Sequence, residues 1–267
     1  MKISLVTISF NQAPYLEQAL RSVLDQDYPD LEYIVVDPGS TDGSRDIIER
    51  YRDRLARVIF EPDKGPSDGL NKGFGAAGGE VFGYLNSDDA LLPGALACVA
   101  RAFARHPDAD LVYGHGYVID NAGQMVRLCR SDRFSLRRSA YGNSIIMQQA
   151  AFWRREAFAA VGGFNARNRL SWDGEFWIDL ALAGKRFRRM DEYWACFRIH
   201  DESITHNFHT RVPDTPFGRE QLRLQEKALR RPRGPADDLR AATTRVEKWL
   251  VDPKNLWLRL FGGLVRR

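Results

Sequence analysis

Val81-Phe82-Gly83-Tyr84-Leu85-Asn86-Ser87-Asp88-Asp89 is the stretch whose reading decides the fold. Its apolar run has the composition of a buried strand, and it stops at two adjacent carboxylates. Ala90-Leu91-Leu92-Pro93-Gly94 follows and is expected to open a helix. In open α/β sheets ligands bind at the carboxyl ends of the strands. Two acids at such an end repel each other and lose hydration, which is costly unless positive charge lies between them. A divalent ion bridging to a phosphate satisfies both acids, and hard oxygen ligands suit magnesium or manganese. The alternative is that Ser87 or Asp89 caps the following helix, with Pro93 in its first turn.

The flanking sequence supplies more strands of the same kind. Ile3 to Ser9, Glu32 to Asp37 and Arg57 to Glu61 are short apolar runs with polar ends. Between them Leu16, Ala19, Leu20, Val23 and Leu24 recur at helical spacing, Ser44 to Arg54 suits a helix, and Lys64-Gly65-Pro66-Ser67 leads into another through Lys72. Alternating strands and helices predict an α/β fold with a mostly parallel sheet flanked by helices. Further on, Pro93 to His106 is expected to be helical and Leu111 to Gly114 a strand. Asn121-Ala122-Gly123 reads as a turn, Ser144 to Gln149 as extended, Arg154 to Val161 as a helix, and Tyr193 to His200 as a strand.

Strand after strand ends in a side chain suited to polar recognition: Thr7 and Ser9, then Asp37, Glu61, and Asp88 with Asp89. Each alone is a good turn former, but four successive ends of this kind suggest one lined edge. Phe10 offers a flat face for a nucleobase, or simply packs. Asp173 stands at the start of a helix, where acids commonly cap. His200 ends a strand, in a structural role or as a metal ligand. A GxxxxGK[ST] phosphate loop is absent, and the glycines from Gly73 to Gly79 follow a helix instead of preceding one.

The 267 residues, 44% hydrophobic and 28% charged, suffice for a large α/β domain with an appendage. No apolar run approaches the roughly 20 residues that span a bilayer. The start lacks a signal-peptide pattern, and three scattered cysteines form neither a disulfide framework nor a zinc motif, so a cytoplasmic, reducing location is expected. Positions 219–267 hold 13 Lys/Arg against 6 Asp/Glu, so this segment carries +7 of a chain whose net charge is +4. Such asymmetry points to an anionic surface as partner. No aromatic stacking module accompanies it, so nucleic acid is not an expected partner.

Taken as an ordered series, the motifs resemble the family-2 glycosyltransferases. They are Val6-Thr7-Ile8-Ser9-Phe10-Asn11, Val36-Asp37-Pro38-Gly39-Ser40-Thr41-Asp42-Gly43-Ser44, Glu61-Pro62-Asp63-Lys64-Gly65, Asn71-Lys72-Gly73 and Asn86-Ser87-Asp88-Asp89. Val161-Gly162-Gly163-Phe164, Trp172-Asp173-Gly174-Glu175 and Phe197-Arg198-Ile199-His200-Asp201-Glu202-Ser203 extend the likeness through about His206. The resemblance implies the GT-A fold and inverting transfer of a sugar from a nucleotide-diphosphate donor to an acceptor hydroxyl, in polysaccharide or glycolipid assembly. It implies donor contacts from Thr7, Ser9, Phe10, Asp37, Glu61, Lys72 and Asp88. It also implies Mg2+ or Mn2+ held by Asp89 with Asp88 and His200, and Asp173 as general base. Two departures stand out. Pro38 follows Asp37 where the family often has a second Asp, and Asn86 stands where it often has an Asp.

The expected organisation is a glycosyltransferase domain over 1–212, divided into a donor half (1–119) and an acceptor half (120–212), with a basic helical extension over 213–267. Two rivals remain: an inactive nucleotide-sugar-binding or scaffold protein on the same fold, and a nucleotidyltransferase, against which the missing basic glycine loop weighs. In the extension Leu256, Trp257, Leu260, Phe261 and Leu264 share one helical side, with Arg259, Arg266 and Arg267 beside them. Such a helix either lies on the inner face of a membrane, near a lipid-linked acceptor, or packs on the catalytic domain or a second subunit.

Overall fold

The computed structural model describes residues 1–201 and 215–261, with the side chains of 259–261 outside that description. The first half alternates as expected: β1 (Ile3–Ile8), α1 (Ala13–Leu24), β2 (Leu31–Val36), α2 (Ser44–Arg50), β3 (Arg57–Ile59), α3 (Pro66–Gly75) and β4 (Val81–Asn86). Next come β5 (Ala90–Leu91), α4 (Ala95–Arg105), β6 (Leu111–Ile119), β7 (Met125–Cys129), α5 (Leu136–Ala140), β8 (Ala151–Arg154) and α6 (Arg155–Ala160). The chain continues through α7 (Trp172–Leu182), β9 (Phe187–Arg198), α8 (Pro216–Leu229), α9 (Asp237–Val251) and α10 (Pro253–Phe261).

The strands form one sheet in the order β3-β2-β1-β4-β8-β6-β9-β5, with β7 on β6. β1, β2, β3 and β4 run parallel. The chain winds outward from β1 to β3, then crosses back to β4 on the other side of β1, which makes the β1/β4 boundary a topological switch point. Period-two alternation sorts the side chains between faces. Ile3, Leu5, Tyr33 and Val35 meet Leu16, Leu20, Val23, Leu96 and Val99 on one face. Val6, Ile34, Val36, Phe82 and Tyr84 meet Leu70, Phe74 and an aromatic group on the other. In that group Trp153 and Phe164 pack on Phe176, ring centroids 5.1 and 4.5 Å apart.

The second half departs from the sequence expectation in four places. Ala90-Leu91 does not open the helix but pairs antiparallel with β9, opposite Cys196 and Ala195. β6 is one continuous strand of nine residues through Gly114. β8 was not foreseen, because Ala-Phe-Trp-Arg directly before a helix has no period of its own to read. It inserts antiparallel between β4 and β6, so the sheet is parallel in its first half and mixed in its second. β9 begins at Phe187 and ends at Arg198, leaving His200 two residues beyond it.

Close approaches tie the halves together. Asn71 on α3 donates to the carbonyl of Phe164 at 2.8 Å and accepts from its N–H at 2.9 Å. Gly163 is held at φ 80°, and a Cβ there would lie 2.7 Å from Asn71 Oδ1, so only glycine fits this turn. Ser67 donates to the carbonyl of Asn168 at 2.6 Å.

The expected boundary before 213 falls at residues 202–214, outside the described residues. Beyond it α8 shares an apolar cluster of Ala140, Ile178, Leu224 and Ala228 with α5 and α7. A second tie is ionic. Glu175, in the first turn of α7, is buried and accepts both guanidinium nitrogens of Arg223, at 2.9 and 2.5 Å, and Lys227 Nζ at 2.7 Å. Asn168 adds a fourth donor at 2.7 Å. Burial pushes the Glu175 carboxyl up, but Arg223, Lys227 and Asn168 outweigh it and hold it at about 2, against an ordinary 4.5.

Because the folded pKa lies below the unfolded one, this cluster stabilises fully above about 4.5 and loses its contribution as pH falls toward about 2. Glu175→Leu is expected to cost at most about 3 kcal/mol, the low end for breaking a buried pair, since half-exposed Arg223 can rehydrate. Denaturant melts of both proteins across that pH range check it. The gap between wild type and variant should close on acidification, and a gap independent of pH contradicts the ionic account.

Candidate active site

The site is built where β1, β2 and β4 end. Two loops form its floor by latching to each other. Asn11, at φ 52°, accepts the Thr41 N–H at 2.9 Å, and its own N–H donates to Ser40 Oγ at 2.8 Å. Asp42 accepts the Ala13 N–H at 2.9 Å and Ser44 Oγ accepts that of Gln12 at 3.1 Å, so α1 is capped by the neighbouring loop instead of its own residues. Asp37 is fully buried. Its carboxylate accepts the N–H groups of Gly39 and Ser40 at 3.0 and 2.8 Å, the Ser40 hydroxyl at 2.5 Å and Arg45 Nε at 3.0 Å. The Pro38-to-Ser44 motif is therefore spent on shaping the loop.

Beyond β4 the two acids have different surroundings. Asp89 is 1% exposed. Its Oδ1 accepts the Arg198 N–H at 2.9 Å, and its Oδ2 accepts Gln149 Nε2 at 2.8 Å and Asn86 Nδ2 at 3.3 Å. The β5–β9 pairing sets this geometry, because Ala90 opposite Cys196 brings the Arg198 backbone to the preceding residue. Burial first, and then the charge of Asp88, push the Asp89 carboxyl well above its ordinary range. Asp88 instead keeps 19% of its side chain exposed and places Oδ2 3.1 Å from His200 Nε2. The His200 ring lies 4.7 Å from that of Tyr15, beside a cleft of about 250 Å³ lined by Asn11, Gln12, Pro14, Tyr15, Asn121, His200 and Asp201.

Asp173 lies in the first turn of α7, where backbone N–H groups act on its carboxyl, yet burial outweighs them and raises its pKa. Trp172 Nε1 donates to the Tyr84 hydroxyl at 2.9 Å. That buried hydroxyl is pushed up by burial and then by the charges of Asp173 and Asp89, so both acids act on Tyr84 of β4.

The other expected donor contacts are distributed unevenly. Phe10 is 59% exposed next to Asn11 and presents its ring to solvent. Thr7 is buried against the Tyr33 hydroxyl at 2.8 Å, pointing into the sheet layer. Ser9 is buried, and its hydroxyl has no hydrogen-bond partner. Glu61 and Lys72 are 3.8 Å apart and line a separate groove of about 710 Å³ along edge strand β3. Thr7 and Asp37 have their polar atoms engaged inside the protein, and both oxygens of Asp89 accept from protein donors.

Arg198 carries a role the sequence reading left unassigned. Buried at the end of β9, it donates to the carbonyls of Asp88 at 2.8 Å, Asp120 at 2.7 Å and Asn121 at 3.1 Å, and to Gln18 Oε1 at 2.6 Å. It thus fixes the Asp88 backbone to α1 and to the turn after β6. A charged residue at an apolar strand's end was the available signal. Among the described residues no three or more His, Cys, Asp or Glu cluster as a metal site. The Asp88 oxygen and His200 nitrogen nonetheless fit a magnesium or manganese ion that takes its other ligands from phosphate and water.

The model of glycosyl transferase family 2 matches residues 4–162. An uncharacterised glycosyltransferase of Nostoc sp. is 31% identical over 220 residues, 75% of this chain and 65% of that protein. The putative teichuronic acid biosynthesis glycosyltransferase TuaG of Bacillus subtilis is 28% identical, over 77% of this chain and 82% of its own length. A PGL/p-HBAD biosynthesis glycosyltransferase of Mycobacterium bovis is 32% identical, over 65% of this chain and 67% of its own. This chain thus spans just under two thirds of the Nostoc relative. Among solved structures, S. aureus TarS 1-349 in complex with UDP-GlcNAc superposes with a TM-score of 0.69 at 20% identity, covering 97% of this chain and 76% of that one. The mannosyltransferase PcManGT of Pyrobaculum calidifontis, in complex with GDP-Man and Mn2+, gives 0.64 at 19% identity, covering 100% and 81%. With a family model covering more than half its length and a sheet of GT-A architecture beneath the motifs, the chain belongs to glycosyl transferase family 2.

Proposed function

We propose that the protein is an inverting glycosyltransferase that moves a sugar from a nucleoside-diphosphate donor to an acceptor hydroxyl in polysaccharide or glycolipid assembly. The observation that carries this reading is the Asp88–His200 pair, 3.1 Å apart at the end of β4 and beside the switch-point cleft. The relatives named for teichuronic acid and PGL biosynthesis support the acceptor class, and the UDP-GlcNAc and GDP-Man complexes support the donor class.

Asp88 and His200 would hold Mg2+ or Mn2+, which when bound would offset negative charge on the departing nucleoside diphosphate. Asp89 has a different part. Its bonds to Arg198 and Gln149 fix the turn that aims Asp88. Phe10 offers its exposed ring to the base. Asp173 takes the proton from the acceptor hydroxyl as that oxygen bonds to the anomeric carbon. The bond from that carbon to the diphosphate oxygen breaks on the opposite face, and this single displacement inverts the centre. Burial keeps Asp173 more basic than an ordinary carboxylate, which suits a base. An inactive scaffold would have no use for such a base. Donor hydrolysis across a panel of nucleotide sugars with Mn2+ tests the activity and names the sugar. No turnover with any donor and acceptor favours the scaffold.

Asp88→Ala should abolish Mn2+-dependent donor binding with an unchanged melting temperature. Asp89→Ala should instead destabilise the fold by about 1–3 kcal/mol for each donor left unpaired, and weaken Mn2+ binding in the folded fraction without abolishing it, because Asp88 itself remains. Calorimetric Mn2+ titration in the presence of nucleoside diphosphate, paired with thermal melts, separates them. The reverse pattern makes Asp89 the ligand.

Asp173→Asn should retain donor affinity and lower kcat by roughly 10²–10⁴-fold. The base works only when deprotonated. Since its pKa is raised, wild-type kcat/KM should fall with acidification at a pH above the ordinary carboxylate range. A pH–rate profile whose acid limb lies near 4 removes Asp173 from this role.

A further inference from the structure

A helix on a protein surface ordinarily turns its apolar stripe inward and its polar face to water. α9 does the reverse. Its inward side is polar. Asp237 accepts the Tyr141 hydroxyl at 2.7 Å, and Asn143 donates to the Ala241 carbonyl at 2.9 Å and to Thr244 Oγ1 at 2.8 Å. Glu247 pairs with Arg137 and Arg138, and Lys248 Nζ lies 2.9 Å from the buried Asp132. Its outward side carries an apolar stripe, Leu239, Ala242, Val246 and Leu250 at spacings of three and four residues, with exposed Thr243 within it and exposed Asp238 at its start. Leu239 is 70% exposed, Val246 58% and Leu250 76%. Half-buried Trp249 borders them. Rolling the helix to bury this stripe would break every inward bond just named, so the stripe needs an occupant from outside.

Size and charge select that occupant. From Leu239 to Leu250 the stripe is about 16 Å long at 1.5 Å per residue. One helix face of that length offers roughly 200 Å², far below the roughly 800 Å² per partner of a stable protein interface. Positions 219–267 also carry 13 Lys/Arg against 6 Asp/Glu, so two copies meeting here repel. An anionic lipid surface accepts both features: a short apolar stripe dips below the headgroups while exposed Arg245 beside it stays among the phosphates.

We infer that α9 is a membrane-docking helix that seats the protein on an anionic lipid surface through Leu239, Val246 and Leu250. This differs from the helix that the sequence pointed to. In α10, Leu256 is half-buried and Trp257 exposed, while the side chains of Arg259, Leu260 and Phe261, and Leu264, Arg266 and Arg267 altogether, lie outside the described residues. The inference does not depend on the catalytic assignments.

The test is co-sedimentation of the full chain with vesicles of phosphatidylcholine alone and of phosphatidylcholine mixed with phosphatidylglycerol. Binding to the mixed vesicles is expected, weaker with added salt and weak on the neutral ones. The double substitution Val246→Glu and Leu250→Glu should reduce it at least about tenfold, with an unchanged melting temperature, since both side chains face solvent. Leu239→Ser with Leu250→Ser is the milder pair should the first not fold. Arg245→Glu should weaken binding to the mixed vesicles alone. No binding by the full chain, or equal binding by either double variant, overturns the inference. A concentration-dependent dimer that the same substitutions dissolve, without vesicle binding, assigns the stripe to a second copy and also overturns it.

Discussion

The site depends on one buried carboxylate. Asp89 is almost wholly removed from water next to another acid, an arrangement that would cost several kcal/mol without partners. Three elements supply them: Asn86 at the end of β4, Gln149 ahead of β8, and the Arg198 backbone at the end of β9. Satisfying this carboxylate therefore draws distant parts of the chain to one point. Once they meet there, the Asp88 backbone is held by Arg198 and its side chain is left facing His200. The exposed acid owes its position to the buried one.

The motif residues divide on the same principle. The residues from Asp37 to Ser44 and Asn11 form a closed set of hydrogen bonds between two loops, and that set caps α1 and shapes the cleft. Asn71, Ser67 and Gly163 hold the loop before α7 against α3. Glu175 then anchors α7 to α8 through Arg223 and Lys227. Asp173, two residues before that anchor, is consequently carried on a helix braced from both sides. Most of these motif residues hold the scaffold together, and Asn11 does so while also lining the cleft.

α9 follows an inverted pattern for a related reason. The residue after β7 and the start of β9 carry charged groups that need partners. Arg130 bonds Asn255 at 2.8 Å, and Arg189 pairs with Asp252. Helices that satisfy those groups must turn polar faces inward, which leaves apolar faces outside.

The sequence by itself determined the strand–helix alternation of the first half, the helix that begins near Asp173, and the family. Period, turn residues and apolar runs are local properties, and they were read correctly over β1 to β4 because each parallel strand there is a continuous apolar run. β8 stayed hidden because three apolar residues and an arginine before a helix carry no period, and the mixed second half of the sheet stayed hidden with it. The tertiary structure alone decided which acids are spent inside and which face the cleft. Asp37, Asp88 and Asp89 have the same side chain at the same kind of strand end. What separates them is the donors each meets: Arg45 and its own loop for Asp37, Gln149 and Arg198 for Asp89, His200 for Asp88. Asp89 meets donors that are sixty and more residues away in the chain, and Asp88's partner His200 is 112 residues away. Which distant donor arrives is set by strand register, as where Ala90 pairs with Cys196, and register is a property of the assembled sheet.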